Sequence, residues 1–390
     1  MCQGFKAAGM AAGIKKNGNK DLGLIVSEVP AAVAAVFTKN KVQAAPVLLD
    51  KERCKTGKCQ AIIVNSGNAN CCTGPQGMAD AIEMSRLAAA GLSLSENLVC
   101  VASTGVIGQA LPVAKIESAF PELARSLSED GFSDFAEAIM TTDTKPKIVS
   151  RKAAVSGKTF TVTGIAKGAG MICPDMATML CFVCTDIAAD SAALQPMLQK
   201  AVDLSFNRIT IDGDTSTNDT VLVLANGISG ISMNQSGAQE KFQKCLDEIL
   251  VELAKMVVRD GEGATKLVEV IVRGAVSASD AKKIAYTVAN SNLFKTALFG
   301  EDANWGRILA AAGRSGASLD PQKVDIFFND IRMVKDGLWC GAEAEKNATR
   351  VLKTPEFNIT VDLKLGAGEA SYWTCDFSID YVKINADYRS

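Results

Sequence analysis

"KGAGMICPDMATML", residues 167–180, sets Gly168, Gly170 and Pro174 ahead of Met176-Ala177-Thr178, and the chain then runs straight into "CFVCT", residues 181–185. The glycines and the proline predict a turn-rich loop, and the apolar run after them predicts a buried strand. A hydroxyl residue, Thr178, therefore stands where loop meets core. The chain contains no histidine. That removes Ser-His-Asp and Cys-His arrangements, and any nucleophile must draw its base from a lysine, a carboxylate or an N-terminal amine. An N-terminal threonine meets the need alone, because its own α-amine, with a reference pKa of about 7.7–8.0, can deprotonate its hydroxyl. In mid-chain this requires the Ala177–Thr178 bond to be cut, by attack of the Thr178 hydroxyl on the Ala177 carbonyl and hydrolysis of the ester formed. An ordinary strand-opening threonine fits the same residues.

Outward from this junction, strand-like apolar runs recur at "GLIVSEV", "AIIVNSGN", "NLVCVAS", "FTVTGIA", "TVLVLANG", "EVIVRGAV", "VDIFFN" and "FNITVDL". Helical patterns lie between them, among them "GMADAIEMSRLAAAGL" and "KCLDEILVELAKMVVRDG". In the second, Leu246, Ile249, Leu250, Leu253 and Val257 share one face of a 3.6-residue helix. Interleaving of this kind indicates an α/β chain. No Pro/Ser linker, low-complexity tract or repeat divides it, and only the Gly-rich segment 164–174 reads as a break.

Forty-one Lys and Arg against 43 Asp and Glu leave a formal net charge of −2. With no basic block, nucleic acid is not expected as a partner. No apolar run approaches the roughly 18 residues of a membrane helix, and no secretory pattern opens the chain. The expectation is a cytoplasmic protein. Its 12 cysteines are mostly scattered singly, as reduced thiols serving as small hydrophobes. Cys181 and Cys184 have CxxC spacing, but a strand sends positions i and i+3 to opposite faces. Cys54, Cys59 and the Cys71-Cys72 pair lack a second knuckle, so no metal is expected.

"STGVIG", residues 103–108, follows the strand "NLVCVA" and offers a hydroxyl and backbone N–H groups that can meet an oxyanion or phosphate, or simply a turn. "NSGNANCCTG", residues 65–74, suits Asx-turns and exposed loops, or a polar pocket at a strand end. "DGDTSTND", residues 212–219, begins like a calcium loop with Asp212, Asp214, Ser216 and Asn218, but Thr217 replaces the required Gly and Val223 the bidentate Glu. Turn and capping chemistry explains it better. The Gly-Ala-Gly at 168–170 lacks the third glycine of a dinucleotide fingerprint.

Taken in order, "AAGIKKNGNKDLGLIVSEVPAAVAAVFTKNKVQAAPV", "NSGNAN", "STGVIG", "TTDTKPK", "KGAGMICPDMATML", "FNRITIDGDTSTNDT", "GEDANWGR" and "YVKINADYRS" resemble the glutamate N-acetyltransferase, or ornithine acetyltransferase, family of arginine biosynthesis across essentially the whole chain. The resemblance implies an α/β layered sandwich of the ornithine acetyltransferase and autoproteolytic aminopeptidase type. It implies self-cleavage between Ala177 and Thr178 into an α-chain, 1–177, and a β-chain, 178–390, which stay intertwined and associate as (αβ)2, a heterotetramer, or higher. Thr178 would be the nucleophile, and Thr104 and Gly105 the oxyanion hole. Lys167, Thr141 or its neighbour Thr142, Asn385 and Ser390 would contact substrate, with Glu262 near the leaving amine. The last position is often Thr in relatives, and Ser390 keeps the hydroxyl. The implied reaction moves an acetyl group from N-acetylornithine to glutamate through an acetyl-threonine ester, without a cofactor, with acetyl-CoA a candidate second donor. Two other classes would use the same residues: an N-terminal-threonine amidohydrolase or aminopeptidase delivering water, and an uncleaved amino-acid-binding protein.

Overall fold

The computed structural model describes residues 2–173 and 179–387. The expectations for Ala177, Thr178 and Ser390 lie outside the described residues. The chain divides into two compact units, one running through Asn207 and taking up again over Asp214–Val257, the other made of Arg208–Gly213 and the chain from Val258 onward. These are not the 1–177 and 178–390 segments, whose junction falls inside the first unit. The glycine-rich 164–174 segment is likewise no domain break, since residues 164–167 end a central strand.

The first unit holds strands β1 (Phe5–Met10), β2 (Leu22–Phe37), β3 (Lys58–Asn68), β4 (Val99–Val106), β5 (Lys147–Val155), β6 (Lys158–Lys167) and β7 (Leu180–Thr185). After β8 (Ile209–Thr210), which belongs to the second unit, comes β9 (Thr220–Ala225). Its sheet runs β4-β3-β2-β9-β7-β6-β5, with β1 beside β2. Its helices are α1 (Ala45–Arg53), α2 (Gly74–Leu92), α3 (Val113–Arg125), α4 (Phe132–Ala138), α5 (Ser191–Leu204) and most of α6 (Ala238–Arg259).

Strand alternation sorts the side chains onto two faces. Ile62, Val64, Cys100 and Ala102 join one cluster with Phe132 and Phe135 of α4. Ala61, Ile63, Val99 and Val101 turn the other way, against Met84 of α2 and Ile116 and Phe120 of α3. Cys184 points into the first cluster and Cys181 does not, as a strand requires of positions i and i+3. All 12 cysteines are free thiols.

Strand β2 loses register against β3 between Val26 and Ala31, next to Pro30; its first half pairs with β1 and β3, and its second half pairs with β9 while Ala31 and Ala32 still pair with β3. A bulge of this kind bends a sheet. The same buried cluster joins side chains of β3 and β4 to Ile165, Phe182, Leu222 and Leu224 of β6, β7 and β9, so one core is shared along the sheet. Neighbouring strands β6 and β7, and β2 and β9, come from opposite sides of residue 177. Both segments thus share one hydrogen-bonded sheet, which would hold them together after a cut.

The second unit is a seven-stranded sheet of β10 (Leu267–Ala275), β11 (Asp325–Phe328), β12 (Ile331–Lys335), β13 (Leu338–Trp339), β14 (Glu356–Asp362), β15 (Gly368–Cys375) and β8, in the order β13-β12-β11-β14-β10-β15-β8. Helices α7 (Ala278–Ala289), α8 (Asn292–Phe299), α9 (Trp305–Gly313), α10 (Ala342–Leu352) and α11 (Ile379–Ala386) complete it. Ser277, Ser291, Asn304 and Ser378 cap α7, α8, α9 and α11 with side-chain oxygens, satisfying N–H groups that a helix start leaves unpaired. Leu246, Ile249, Leu250, Leu253 and Val257 of α6 are all fully buried. Among the described residues, no helix is long and apolar enough to cross a membrane.

Candidate active site

Thr104 lies near the end of β4, and the parallel register pairs it with Ser66 and Gly105 with Gly67. The two backbones approach so closely that a Cβ on Gly105 would stand 2.4 Å from the Gly67 carbonyl carbon, and its φ of +133° favours glycine independently. Glycine therefore leaves the Gly105 N–H uncovered by any side chain of its own. The "NSGNAN" segment is buried structure at the end of β3, not an exposed loop. Asn65 Oδ1 accepts from the Ser103 hydroxyl at 2.6 Å, and Asn68 Nδ2 donates to the carbonyls of Gln109 and Ala110 at 3.2 and 3.0 Å. Ser66 Oγ donates to the Ala138 carbonyl at 2.6 Å.

Lys167 ends β6 and is buried, and its Nζ lies 3.2 Å from Thr104 Oγ1 and 2.8 Å from Thr141 Oγ1. Three residues proposed from sequence thus meet around one ammonium group, although 63 positions separate Lys167 from Thr104. Thr141 makes this contact and its neighbour Thr142 does not. Behind them stands Asp143, within "TTDTKPK" but not singled out from the sequence. Its Oδ1 accepts from Lys147 Nζ and the Gly168 N–H, both at 2.7 Å, and its Oδ2 accepts from the Thr141 N–H at 3.0 Å and lies 4.0 Å from Lys167 Nζ. Burial alone would raise the Asp143 pKa, but the charges of Lys167 and Lys147, with the hydrogen bonds, outweigh it and hold the group at about 2. It is an ion that orients the lysine.

That shift carries a stability prediction. A carboxylate held below its ordinary 3.8 contributes stability that is complete above pH 3.8 and is lost as pH falls through about 2, here about 2 kcal/mol. Asp143→Asn leaves two buried lysines without their counter-ion and is expected to cost about 3–5 kcal/mol. Urea unfolding at neutral pH and at pH 2.5 checks both: the variant's deficit relative to the parent should shrink by about 1–2 kcal/mol at the lower pH, the share carried by the lowered Asp143 pKa, and the remainder should persist.

The "DGDTSTND" segment does more than cap and turn. Asn218 Nδ2 donates to the carbonyls of Ala69 at 2.7 Å and Ser103 at 2.8 Å, tying the ends of β3 and β4 to the start of β9. Next to it, Asp219 Oδ1 accepts from the Met179 N–H at 3.0 Å, while the Thr220 N–H donates to the Met179 carbonyl at 3.1 Å. Burial pushes the Asp219 carboxyl well above its ordinary range, against smaller opposing effects from Met179 N–H, the Ser216 and Thr38 hydroxyls and Lys167. Met179 directly follows Thr178, so its anchoring fixes the first described residue of β7's approach.

In the second unit, Glu262 is buried, and its Oε2 accepts from Asn385 Nδ2 of α11 at 2.7 Å. Gly263, at φ +67°, lets this turn press on α11, because a Cβ there would meet Ser378 Oγ at 2.6 Å and the Tyr381 nitrogen at 2.7 Å. Two more of the sequence candidates are therefore hydrogen-bonded to each other. Asp212, dismissed as a calcium ligand, accepts from the Tyr381 hydroxyl at 3.3 Å.

Comparison with known proteins gives consistent results. A model of the ArgJ family matches residues 6–390. The arginine biosynthesis bifunctional protein ArgJ of Geobacter sulfurreducens is 54% identical over 391 residues, covering 100% of this chain and 99% of that protein. The glutamate N-acetyltransferase of Methanocaldococcus jannaschii is 49% identical over 399 residues, covering 100% and 97%. The crystal structure of the arginine biosynthesis bifunctional protein ArgJ of Bacillus halodurans superposes with a TM-score of 0.50 at 40% identity, covering 53% of this chain and 97% of that one.

Proposed function

This chain belongs to the ArgJ family, and from that premise we propose that it is an acyltransferase moving an acetyl group from N-acetylornithine to glutamate in arginine biosynthesis. The observation that carries the reading is the convergence of Thr104, Thr141 and Lys167, with Lys167 Nζ 3.2 Å from Thr104 Oγ1. A cation beside a hydroxyl donor suits a substrate that has both a carboxylate to anchor and a carbonyl whose oxygen becomes negative.

The chemistry follows in two steps. After self-cleavage, the free amine of Thr178 takes the proton of its own hydroxyl, and Oγ attacks the acetyl carbonyl. The Thr104 hydroxyl and the Gly105 N–H meet the oxyanion, the C–N bond breaks, and ornithine leaves with a proton. Glutamate's amine then attacks the acetyl-threonine ester, passing a proton to the Thr178 amine, which gives one to Oγ as the C–O bond breaks. Splitting the transfer makes one high barrier into two lower ones and requires no cofactor. Glu262, held by Asn385, would receive the amino end of the substrate, and Ser390 a further polar contact. The cleaved chains would work in the cytoplasm, where free thiols persist, as an (αβ)2 or larger assembly.

The test is to supply glutamate with N-acetylornithine and, separately, with acetyl-CoA. Equal release of ornithine and N-acetylglutamate from the first pair is expected. Release of ornithine and acetate that ignores glutamate would instead mark an amidohydrolase. N-acetylglutamate formed from acetyl-CoA would add a second donor.

A further inference from the structure

Two thiols of the first unit face each other outside the acetyl-transfer scheme. Cys54 caps the C-terminal end of α1 and Cys100 lies in β4, 46 positions away, and their sulfurs are 3.9 Å apart. A disulfide bond is about 2.05 Å long, so an approach of about 2 Å separates this pair from a bond. The frame around them is already fixed. Arg53 Nη1 donates to the Val99 carbonyl, and Asp50 Oδ1 and Oδ2 accept from the Val101 N–H at 3.0 and 3.2 Å, so α1 grips β4 on both sides of Cys100. The two thiols differ in access. Cys100 is buried, and its hydrogen bonds with Cys54 and Cys59, with burial and the nearby Asp50, raise its pKa well above the ordinary thiol value. Cys54 is half-buried and lines a cleft of about 510 Å³ whose walls include Lys51, Lys55 and Gln195, room enough for a small oxidant to reach the sulfur.

We infer that Cys54 is a reversible oxidation site, its sulfur taking an oxygen from a peroxide in the cleft and Cys100 resolving the product as an internal disulfide. The inference stands apart from the acetyl-transfer reading and needs neither Thr178 nor a cleaved chain. In the first step the Cys54 sulfur attacks one oxygen of hydrogen peroxide, the O–O bond breaks, and the sulfur becomes a sulfenic acid as water leaves. In the second, the Cys100 sulfur attacks the Cys54 sulfur, the S–O bond breaks, and hydroxide departs with the Cys100 proton as water. Two thiols are oxidised by two electrons in all, and one peroxide is reduced to two waters. A dithiol reductant reverses the bond by exchange.

The roles follow from the geometry. An accessible sulfur beside a second thiol is the arrangement of a redox-sensitive pair, and here only one member opens on the cleft. Cys72 is exposed too, but the thiol it faces, that of Cys71 at 3.7 Å, is its chain neighbour. A bond there would have to close across one planar peptide unit. Joining Cys54 to Cys100 would tie α1 covalently to β4, the strand that also carries Thr104, and would spare Cys54 from irreversible oxidation to the sulfinic acid.

The test treats the full-length protein with hydrogen peroxide, alkylates the remaining thiols after unfolding, and maps the peptides by mass spectrometry without reduction. The first product expected is a pair of peptides joined through Cys54 and Cys100, lighter by two hydrogens than its reduced parts and separated by dithiothreitol. In Cys54→Ser, Cys100 should remain fully alkylated. In Cys100→Ser, Cys54 should pass on to the sulfinic acid, heavier by two oxygens. Should Cys100→Ser fail to fold, the parent map and Cys54→Ser decide alone. A parent in which Cys54 stays reduced while Cys72 or Cys340 reacts overturns the inference. So does a Cys100 that joins Cys59 instead, or one that is oxidised as fast in Cys54→Ser as in the parent.

Discussion

Thr178→Val should leave the 390-residue chain whole and reduce acetyl transfer to background. The substitution keeps the β-branched shape and removes only the hydroxyl, so lost packing does not explain the loss. Two functions disappear together because one oxygen serves both: it attacks Ala177 to free the amine, and it later carries the acetyl group. The chain contains no histidine, so a substitute nucleophile would lack the base most often paired with a hydroxyl or thiol. Intact chain on denaturing electrophoresis together with no detectable N-acetylglutamate is the expected pair of results. Undiminished turnover in that variant would remove the nucleophile from the account.

Thr104→Ala should lower kcat by about 10²–10³, with KM little changed. Loss of one preorganised donor to an oxyanion typically costs about 2.7–4 kcal/mol in the transition state alone, and an interaction made only there appears in kcat. Thr104 Oγ1 accepts from Lys167 Nζ at 3.2 Å, which fixes the oxygen and leaves its own proton to donate. Thr104→Ser, which keeps the hydroxyl, should retain most of the activity, and that contrast separates donor loss from disturbed packing. The other donor cannot be tested as simply: a Cβ on Gly105 would collide with the backbone of Gly67 and Asn68 at 2.4 and 2.5 Å, so Gly105→Ala would disturb the β3–β4 pairing as well. A loss in Thr104→Ala below about threefold would place the oxyanion hole elsewhere, because it is far less than a lost donor costs.

Much of the fold was legible because several strands are buried on both faces: "AIIV", "LVCVA" and "VLVLA" are apolar without interruption, as strands covered on both sides should be. Strand β5, "KIVSRKAAV", escaped notice because it lies at the sheet edge, where Lys152 and Arg151 are partly solvated and dilute the pattern. Strand β15, "GEASYWTC", opens with small and polar residues and shows its period only against β10.

The site divides along a similar line. Thr104, Lys167, Glu262 and Asn385 were named from motifs, and the structure pairs Lys167 with Thr104 and Glu262 with Asn385. Asn218 and Asp219 were missed as site residues because their partners are remote in sequence, 149 positions away for the Asn218–Ala69 bond and 40 for the Met179–Asp219 bond, whereas Asp143 has near partners in Thr141 and Lys147 and shows its role only through the burial of the two lysines beside it. "TSTND" on its own carries only turn chemistry. Its relation to β4 and to Met179 exists only once β9 has entered the sheet between β2 and β7. One signal was present: two adjacent acid and amide side chains opening an apolar strand must face opposite ways, so at least one turns inward and needs a partner.

The central claim is that the amine-bearing Thr178 holds the acetyl group between donor and acceptor. Its most direct test is peptide mass spectrometry of the enzyme after incubation with N-acetylornithine and no glutamate. The peptide beginning Thr178-Met179-Leu180-Cys181 should be heavier by one acetyl group, and glutamate should return it to its original mass. An unmodified Thr178 peptide in material that nonetheless makes N-acetylglutamate would contradict the account.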